Sequence, residues 1–323
     1  MFIAFYRRVP DPERLNEMVG KFKVLSKKDG KKMETKKSRS RILFIAFILC
    51  IMFSAPANAA YKIGVLAKRG APMCMKEWGA TAAYLSDKLG EKFSVIPLKF
   101  TAVEPALKSG MIDFLLANPA FYVNMQKKYG IHAIATMINS RGGKALKQFG
   151  GVLFVRKDSP IKELSQVKGK KFMCVKYSSF GGGNMAWRLL EENGIHPKTD
   201  FAAILEGKKH DNVVLAVQNG TADVGTVRSD TLERMQEEGK IKMSDFRIIH
   251  QISDGFPFVH STRLYPEWPM AANKNVPAGF GQKVAAALID MPEGSMAAKN
   301  AKIIGWTEPL DYTPVAECLK KIK

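Results

Sequence analysis

Between residues 61 and 252, short apolar segments alternate with longer segments of helical spacing, and this alternation constrains the fold most strongly. Strands separated by helices form sheets that are mainly parallel, so an α/β fold is predicted. The first set contains predicted strands at 61–67, 93–100 and 111–117 and predicted helices at 78–89, 103–109 and 119–129.

A second set of the same kind follows. It contains predicted strands at 151–156, 171–177, 201–205, 222–227 and 246–252, with helices at 184–193, 211–219 and 230–238 and a helical turn at 164–168. Beyond it, no strand is predicted, and the three helices expected at 279–290, 295–304 and 313–322 should pack back on the first set. The sequence therefore predicts two α/β lobes joined by two crossings. Lobe one is expected at 60–148 and 256–323 and lobe two at 149–255, with crossings near 139–152 and 249–262.

The N-terminal region indicates export. Residues 41–55 are almost wholly apolar, a basic run at 31–41 precedes them, and Ala57-Asn58-Ala59 follows. A basic head, a short apolar centre and an A-x-A site are typical of a secretory signal peptide, and the run is shorter than the roughly 20 residues of a spanning helix. We expect translation to start at Met33, with 1–32 a misassigned extension, cleavage after Ala59 and a periplasmic product. An uncleaved anchor is the alternative.

The net charge indicates which class of partner the protein binds, and the cysteine count limits the disulfides that it can form. The formal net charge is +20, and residues 1–59 hold 13 basic and 5 acidic side chains, which leaves 37 basic and 25 acidic, or +12. This balance favours an anionic partner, although solubility alone would also explain it, and an exported protein is not expected to bind nucleic acid. Three cysteines remain beyond residue 59, and none of them lies in a C-x-x-C motif. Because their number is odd, at least one thiol is free of an intramolecular disulfide. If a disulfide forms, we expect Cys74–Cys318.

The segment 177–185 (YSSFGGGNM) is the most informative motif. It lies between a predicted strand and a predicted helix. Hydroxyls of Ser178 and Ser179 can hydrogen-bond a ligand, and Gly181 and Gly182 allow close approach of the backbone. The N–H groups that begin the helix favour an anion. A helix N-cap with a flexible glycine turn is the simpler alternative.

The same segment also fits a dinucleotide-binding fingerprint. Residues 181–186 match G-x-G-x-x-A, and Glu206 ends the next predicted strand about 20 residues later. A polar stretch separates the strand from the first glycine, where the fingerprint needs a tight turn. Exported proteins also rarely meet a nicotinamide pool, so no cofactor is predicted.

Arg228 ends a predicted strand just before a predicted helix. Ligands of open α/β sheets bind beyond the strand C-termini, and an arginine there can clamp an oxyanion through two hydrogen bonds. The alternative is a surface arginine paired with Glu233 or another acid. An exposed Arg228 would contribute little to folding.

The first lobe offers further candidates. Asn118 and Tyr122 follow a predicted strand end and could reach a ligand, although Asn118 as an N-cap before Pro119 explains the pattern equally well. Trp78 and His260 could line the cleft, but such residues are more often structural. No H-E-x-x-H, G-x-S-x-G or P-loop is present and the histidines show no metal spacing, so neither a catalytic residue nor a metal is predicted.

The order of several segments resembles a known family. It runs KIGVLA, FLLANPAFYV, GGVLFVR, KGKKFMCVKYSSFGGGNMAWRLL and ADVGTVRSDTLERM. This order looks like the phosphonate- and phosphite-binding, PhnD-like group of periplasmic receptors. STRLYPEWPMA and the final DYTPVAECLKKI resemble more closely the periplasmic sensing domain of tetrathionate-sensor histidine kinases.

The resemblance implies a type II periplasmic-binding fold that closes on a small anion. It implies cleft-facing loops at 118–122, 178–183 and 226–230, which adds Thr226 to the candidate ligand residues. We expect a monomer, not an enzyme, that delivers a phosphonate, phosphite, phosphate or sulfur oxyanion to an ABC permease. The alternatives are a ligand-sensing partner of a membrane signalling protein and an exported enzyme on the same fold.

Overall fold

Residues 60–323 are the part of the chain that this computed structural model describes. The predicted signal peptide, its A-x-A site, the Met33 start and the extension 1–32 lie outside the described residues. Within 60–323, no helix combines the length and the apolar character needed to cross a membrane.

Fourteen strands build the sheets of the described part. In chain order they are β1 (Tyr61–Leu66), β2 (Phe93–Leu98), β3 (Phe114–Leu116), β4 (His132–Arg141), β5 (Lys144–Leu146), β6 (Gln148–Phe149), β7 (Gly151–Arg156), β8 (Lys171–Cys174), β9 (Ala203–Glu206), β10 (Val224–Arg228), β11 (Phe246–Ile249), β12 (Tyr265–Pro266), β13 (Pro269–Ala272) and β14 (Ile303–Thr307).

Nine α-helices pack on these sheets within residues 60–323. They are α1 (Ala71–Leu89), α2 (Val103–Lys108), α3 (Pro119–Tyr129), α4 (Met185–Glu192), α5 (His210–Gln218), α6 (Thr231–Glu237), α7 (Ala278–Ile289), α8 (Met296–Ala301) and α9 (Thr313–Lys321). Short 3-10 helices occur at Phe100–Ala102, Leu164–Val167 and Met243–Asp245, and a π-helical turn at Phe180–Asn184 leads into α4.

The sheet of lobe one has the order β14-β4-β13-β3-β1-β2, with β5 added to β4. Strands β1, β2 and β3 are parallel, whereas β13 and β14 run antiparallel to their neighbours. Strands β12, β13 and β14 therefore follow residue 252, where the sequence indicates helices and no strand–helix repeat. The chain returns to the first sheet twice, and part of the helix predicted at 295–304 is strand β14 instead. Strand β4 is likewise absent from the predicted strands.

The sheet of lobe two has the order β11-β7-β10-β8-β9. Strand β8 is parallel to β9 and β10, and β7 runs antiparallel to β10 and β11. Strand β7 and helix α3 coincide with their predicted ranges. The predicted architecture of two α/β lobes is confirmed.

The two crossing segments pair with each other. The second crossing extends from the end of β11 to the start of β13, so it is longer than the predicted 249–262. Strand β6 lies in the first crossing and β12 in the second, and they form a short antiparallel ladder in which Phe149 faces Tyr265. The lobe boundaries at 148/149 and 255/256 stay a prediction, since both fall within or next to these crossings.

Helix α9 joins the lobes on one side, because it packs on both α3 and α4. Its Cys318 thiol lies 3.6 Å from the carbonyl oxygen of Asn184. Cys74, Cys174 and Cys318 are buried and unpaired, so the structure does not contain the expected Cys74–Cys318 disulfide. Each thiol fills space in an apolar core, as buried cysteines commonly do.

Candidate ligand cleft

The carboxyl ends of strands from both lobes lie at the cleft. Strands β1, β2 and β3 lead to Lys68, Phe100 and Asn118 in lobe one, and strands β8 and β10 lead to Lys176 and Arg228 in lobe two. The lobes approach each other here, since the Lys176 ammonium lies 5.1 Å from the centre of the Phe100 ring. Sites in open α/β sheets form at such edges.

Arg228 is buried, and its guanidinium forms ion pairs with acidic side chains of the protein. Its Nη2 lies 2.5 Å from Glu267 Oε1, its Nη1 3.3 Å from Glu267 Oε2 and its Nε 3.1 Å from Asp230 Oδ1. The guanidinium also stacks 4.2 Å above the Phe149 ring. Burial alone would lower the pKa of Arg228, but the charges of Glu267 and Asp230 raise it well above its ordinary value. The expectation of an exposed arginine is wrong.

These contacts belong to a larger charge network. Arg141, at the end of β4, holds its Nε 2.6 Å from Asp230 Oδ2. Asn139 donates from Nδ2 to Glu267 Oε1 at 2.9 Å. Burial raises the pKa of Glu267, and Arg228 with Asn139 more than offsets this, so that the carboxyl is ionised. Two arginines and two carboxylates therefore balance in a network that links the lobes.

Lys68 lies beside this network and has no acidic partner in it. It follows β1, is exposed to the cleft, and has no carboxylate within ion-pair distance among residues 60–323. Its ammonium lies 5.0 Å from the Trp268 ring centre. Protein surrounds the ammonium even though solvent reaches it, and this desolvation, together with Arg141 and Arg228, lowers its pKa to about 8. Sequence reasoning missed Lys68, which carries no signal except its position two residues after a strand.

His210 is the second residue that sequence reasoning missed. It begins α5, and its Nδ1 accepts a hydrogen bond from the Arg228 backbone N–H at 3.2 Å. The proton of the neutral ring is therefore on Nε2, which has no hydrogen-bond partner among residues 60–323. Burial, and then the charges of Arg228 and Lys68, lower the pKa of His210 to about 3. The ring is neutral at ordinary pH and offers one N–H donor.

The predicted serines lie at the start of the π-helical turn. Ser178 is exposed and Ser179 is buried, and neither hydroxyl has a protein partner within the described residues. The Ser179 carbonyl accepts the Asn184 N–H at 2.9 Å, which fixes the turn. Ser179 thus lies one residue before a helical turn whose N–H groups favour negative charge.

The glycines of this segment are required by packing. A Cβ on Gly181 would lie 2.8 Å from the Phe149 ring and 3.0 Å from Arg228 Cβ. A Cβ on Gly182 would lie 2.4 Å from Val175 Cγ2. The segment therefore packs tightly against the first crossing and the end of β8. These contacts explain why glycine is needed at two of the three consecutive positions, without any role for a ligand.

Asn118, Tyr122 and Thr226 have local roles in the structure. Asn118 Oδ1 caps α3 by accepting the Phe121 N–H at 3.2 Å. The Tyr122 hydroxyl accepts the Ala133 N–H at 3.1 Å, so it is engaged within lobe one. Thr226 is fully buried in β10, and its hydroxyl has no hydrogen-bond partner among residues 60–323.

Trp78 and His260 have structural contacts. Trp78 is buried in the core of lobe one, with its ring centre 6.2 Å from that of Trp306. His260 lies in the second crossing, 2.8 Å from the Thr262 carbonyl and 3.0 Å from Asp254 Oδ1. Of the ten predicted residues, the structure brings Ser179, Gly181 and Arg228 to one place, and it gives Trp78, Tyr122 and His260 structural contacts.

A cavity of about 340 Å³ lies between α4 and the second crossing. None of the ten predicted residues lines it. Its walls include Met185, Arg188, Leu189, Glu192, Asn193, His250, Ile252, Ser261, Thr262, Arg263 and Tyr265.

The described residues offer little for covalent or metal chemistry. No group of three or more His, Cys, Asp or Glu within 60–323 is arranged to hold a metal ion. Burial raises the pKa of the Cys74 thiol to about 11 and that of Cys174 to about 12, which disfavours the nucleophilic thiolate. The arrangement at the strand ends is suited to holding an anion.

Comparison with known families gives a match over most of the chain. The family described as "ABC transporter, phosphonate, periplasmic substrate-binding protein" matches residues 63–313. The tetrathionate sensor histidine kinase TtrS of Salmonella typhimurium is 28% identical over 289 residues, which cover 89% of this chain and 48% of the kinase. The chain thus spans about half the length of this curated relative.

Solved structures share the fold at low sequence identity. XAC2383 from Xanthomonas citri bound to ATP is 19% identical with a TM-score of 0.66, covering 81% of this chain and 95% of its own. PhnD1 from Prochlorococcus marinus in complex with methylphosphonate is 15% identical with a TM-score of 0.63, covering 81% and 98%. PA3383, an ABC phosphonate transporter binding component from Pseudomonas aeruginosa, is 15% identical with a TM-score of 0.65, covering 82% and 87%.

Proposed function

This chain belongs to the family of periplasmic substrate-binding proteins of phosphonate ABC transporters, and we propose that it captures a small oxyanion between its two lobes without changing it chemically. The class we propose comprises phosphonates, phosphite, phosphate and sulfur oxyanions.

Lys68 is the observation that carries this proposal. The two arginines of the cleft are balanced by Asp230 and Glu267, so Lys68 is the positive charge beside them that has no acidic partner within residues 60–323. An anion bound next to Lys68 restores the balance, and charge-assisted hydrogen bonds of this kind are short and strong.

Lobe two supplies uncharged donors for the same anion. His210 offers its Nε2–H, and Ser179 offers a hydroxyl at the start of a helical turn. Because Lys68 belongs to lobe one and these donors belong to lobe two, an anion in the cleft contacts both lobes only when they close. Contacts made solely in the closed state shift the population toward it, and the paired crossings serve as the hinge.

The same proposal places the protein in the periplasm. Cleavage after Ala59 would release a mature chain that begins at Ala60, and N-terminal sequencing of the exported protein tests this directly. We propose an ABC permease as the partner of a monomer. A membrane signalling protein is the second candidate, favoured by the 28% identity to a sensor kinase over 89% of the chain.

Isothermal titration calorimetry with methylphosphonate, phosphite, phosphate, sulfate, thiosulfate and tetrathionate tests the function. We expect at least one of these anions to bind, and Lys68→Met to weaken its binding about 10- to 150-fold, the equivalent of one charge-assisted hydrogen bond. Lys62→Met is the matched control, because Lys62 lies at the opposite end of the same strand. Equal affinity in the Lys68→Met protein, or binding of none of these anions, would contradict the proposal. Mass spectrometry should recover the bound anion unchanged.

A further inference from the structure

Lys176 of lobe two has the same setting as Lys68 of lobe one. Each lysine lies two residues after the end of a strand, Lys68 after β1 and Lys176 after β8. Each ammonium lies over the face of an aromatic ring. The distance from Nζ to the ring centre is 5.0 Å for Lys68 and Trp268 and 5.1 Å for Lys176 and Phe100. Neither has a carboxylate within ion-pair distance among residues 60–323.

The aromatic partners explain how these lysines stay at the cleft. A ring face attracts an ammonium through its quadrupole, yet it accepts little from the individual N–H groups, which remain available to an anion. The Phe100 contact also reaches across the cleft, because Phe100 belongs to lobe one and Lys176 to lobe two. Lys68 and Lys176 therefore present to the cleft, from each lobe, an ammonium without an acidic partner within residues 60–323.

Resting on the anion-binding function proposed above, we infer that the ligand is a dianion whose two charges are held by Lys68 from lobe one and Lys176 from lobe two. A monoanion neutralises one ammonium and leaves the other facing a positively charged lobe. A dianion neutralises both and removes the repulsion that opposes closure. Ligand charge, in addition to ligand shape, then decides whether the lobes close.

The test compares dianions with related monoanions. Titration calorimetry at pH 7 would use thiosulfate against methanesulfonate and 1,2-ethanedisulfonate against ethanesulfonate. We expect the dianion of at least one pair to bind about 10- to 150-fold more tightly than its monoanionic partner, the effect of one further charge-assisted contact. Small-angle scattering should show compaction with that dianion and none with the monoanion.

Two lysine variants test whether Lys176 binds the second charge of the ligand. Lys176→Met should reduce the affinity for the dianion to that for the monoanion, and it should change monoanion affinity less than about threefold. Lys171→Met is the control, because Lys171 begins the strand that Lys176 follows. Thermal unfolding of each variant verifies that it is folded.

The outcomes distinguish the two proposals. If neither member of any pair binds and the wider anion panel also fails, anion capture itself is wrong. If anions bind but the pairs do not differ, or Lys176→Met weakens both members equally, anion capture stands and the dianion inference is overturned.

Discussion

Arg228 and Glu267 form a two-point ion pair between the end of β10 in lobe two and the second crossing. The side chain of Glu267 is 0% exposed and that of Arg228 only 11%, and Nη2 approaches Oε1 to 2.5 Å. A buried pair of this kind is costly to break from one side, because the remaining charge is left in an apolar setting.

We therefore expect Arg228→Ala to lower the free energy of unfolding by about 3–5 kcal/mol, because it strands the buried Glu267 carboxylate. Urea denaturation measures the loss. The double variant Arg228→Met with Glu267→Met should recover most of it, since no unpaired charge then remains. Arg156→Ala is the matched control, because Arg156 ends β7 and its side chain is 46% exposed beside Asp158. A loss no larger in Arg228→Ala than in this control would refute the structural role.

Anion affinity should depend on the protonation of Lys68. Desolvation, Arg141 and Arg228 lower its pKa to about 8, and Glu77 and Glu267 oppose this only in part. A bound anion favours the protonated ammonium, so binding is strong below pH 8 and weakens as pH rises through that value. The loss approaches tenfold per pH unit above it, about 30-fold between pH 7 and pH 9.5.

Calorimetry with a sulfonate or sulfate probe, which does not titrate in this range, isolates the protein's contribution. Lys68→Arg should bind with nearly constant affinity across the same range, because a guanidinium stays charged. Lys62→Arg should retain the wild-type profile. A steep profile that survives in Lys68→Arg would assign the titration to another group.

Acid should destabilise the protein through His210. Its pKa is about 3 in the folded protein and near 6.5 in the unfolded chain. Below pH 6.5 the unfolded chain therefore binds a proton that the folded protein does not, and stability falls as pH drops from 6.5 toward 3. The slope approaches about 1.4 kcal/mol per pH unit. His210→Asn, which can still accept the Arg228 N–H, should unfold with a shallower pH dependence in urea titrations at pH 4 to 7. Parallel curves for the two proteins would exclude this role.

Gly182→Ala should destabilise the protein by about 1–3 kcal/mol, because the new methyl group would lie 2.4 Å from Val175 Cγ2. Gly79→Ala provides the contrast. Gly79 lies inside α1, and apart from its chain neighbours and the backbone of its own helix no atom lies within 4 Å of the position that its Cβ would take, so alanine there should stabilise by up to about 1 kcal/mol. Thermal or urea unfolding compares the two, and equal effects would show that the glycine segment is not tightly packed.

The alternation of strands and helices is sufficient to predict the two α/β lobes, because it depends on local sequence periodicity. Strand β13 (Pro269–Ala272) is not predictable in this way. Its four residues, PMAA, contain a proline and no β-branched side chain, and it is a strand because β3 and β4 offer it partners on both sides. Strand β14 is hidden for the same reason, since its pairing partner β4 lies more than 160 residues earlier.

The candidate site likewise contains residues that can be predicted from local sequence and residues that cannot. The location of Arg228 at a strand end follows from the sequence, whereas its partner Glu267 lies 39 residues away in a segment without regular periodicity. Lys68 and Lys176 are two of 50 basic residues, and local sequence does not distinguish a lysine with an acidic partner from one without. That distinction arises only when Asp230 and Glu267 are seen to pair with the arginines.

The ladder between Gln148–Phe149 and Tyr265–Pro266 has a consequence for how motion in this protein can be measured. Because this ladder couples the two crossings, we expect the lobes to move relative to each other mainly by rotation about one axis. One angle then describes the opening. A single pair of spectroscopic labels, one on each lobe, is enough to follow it, and pairs placed at different positions should report the same rate constant.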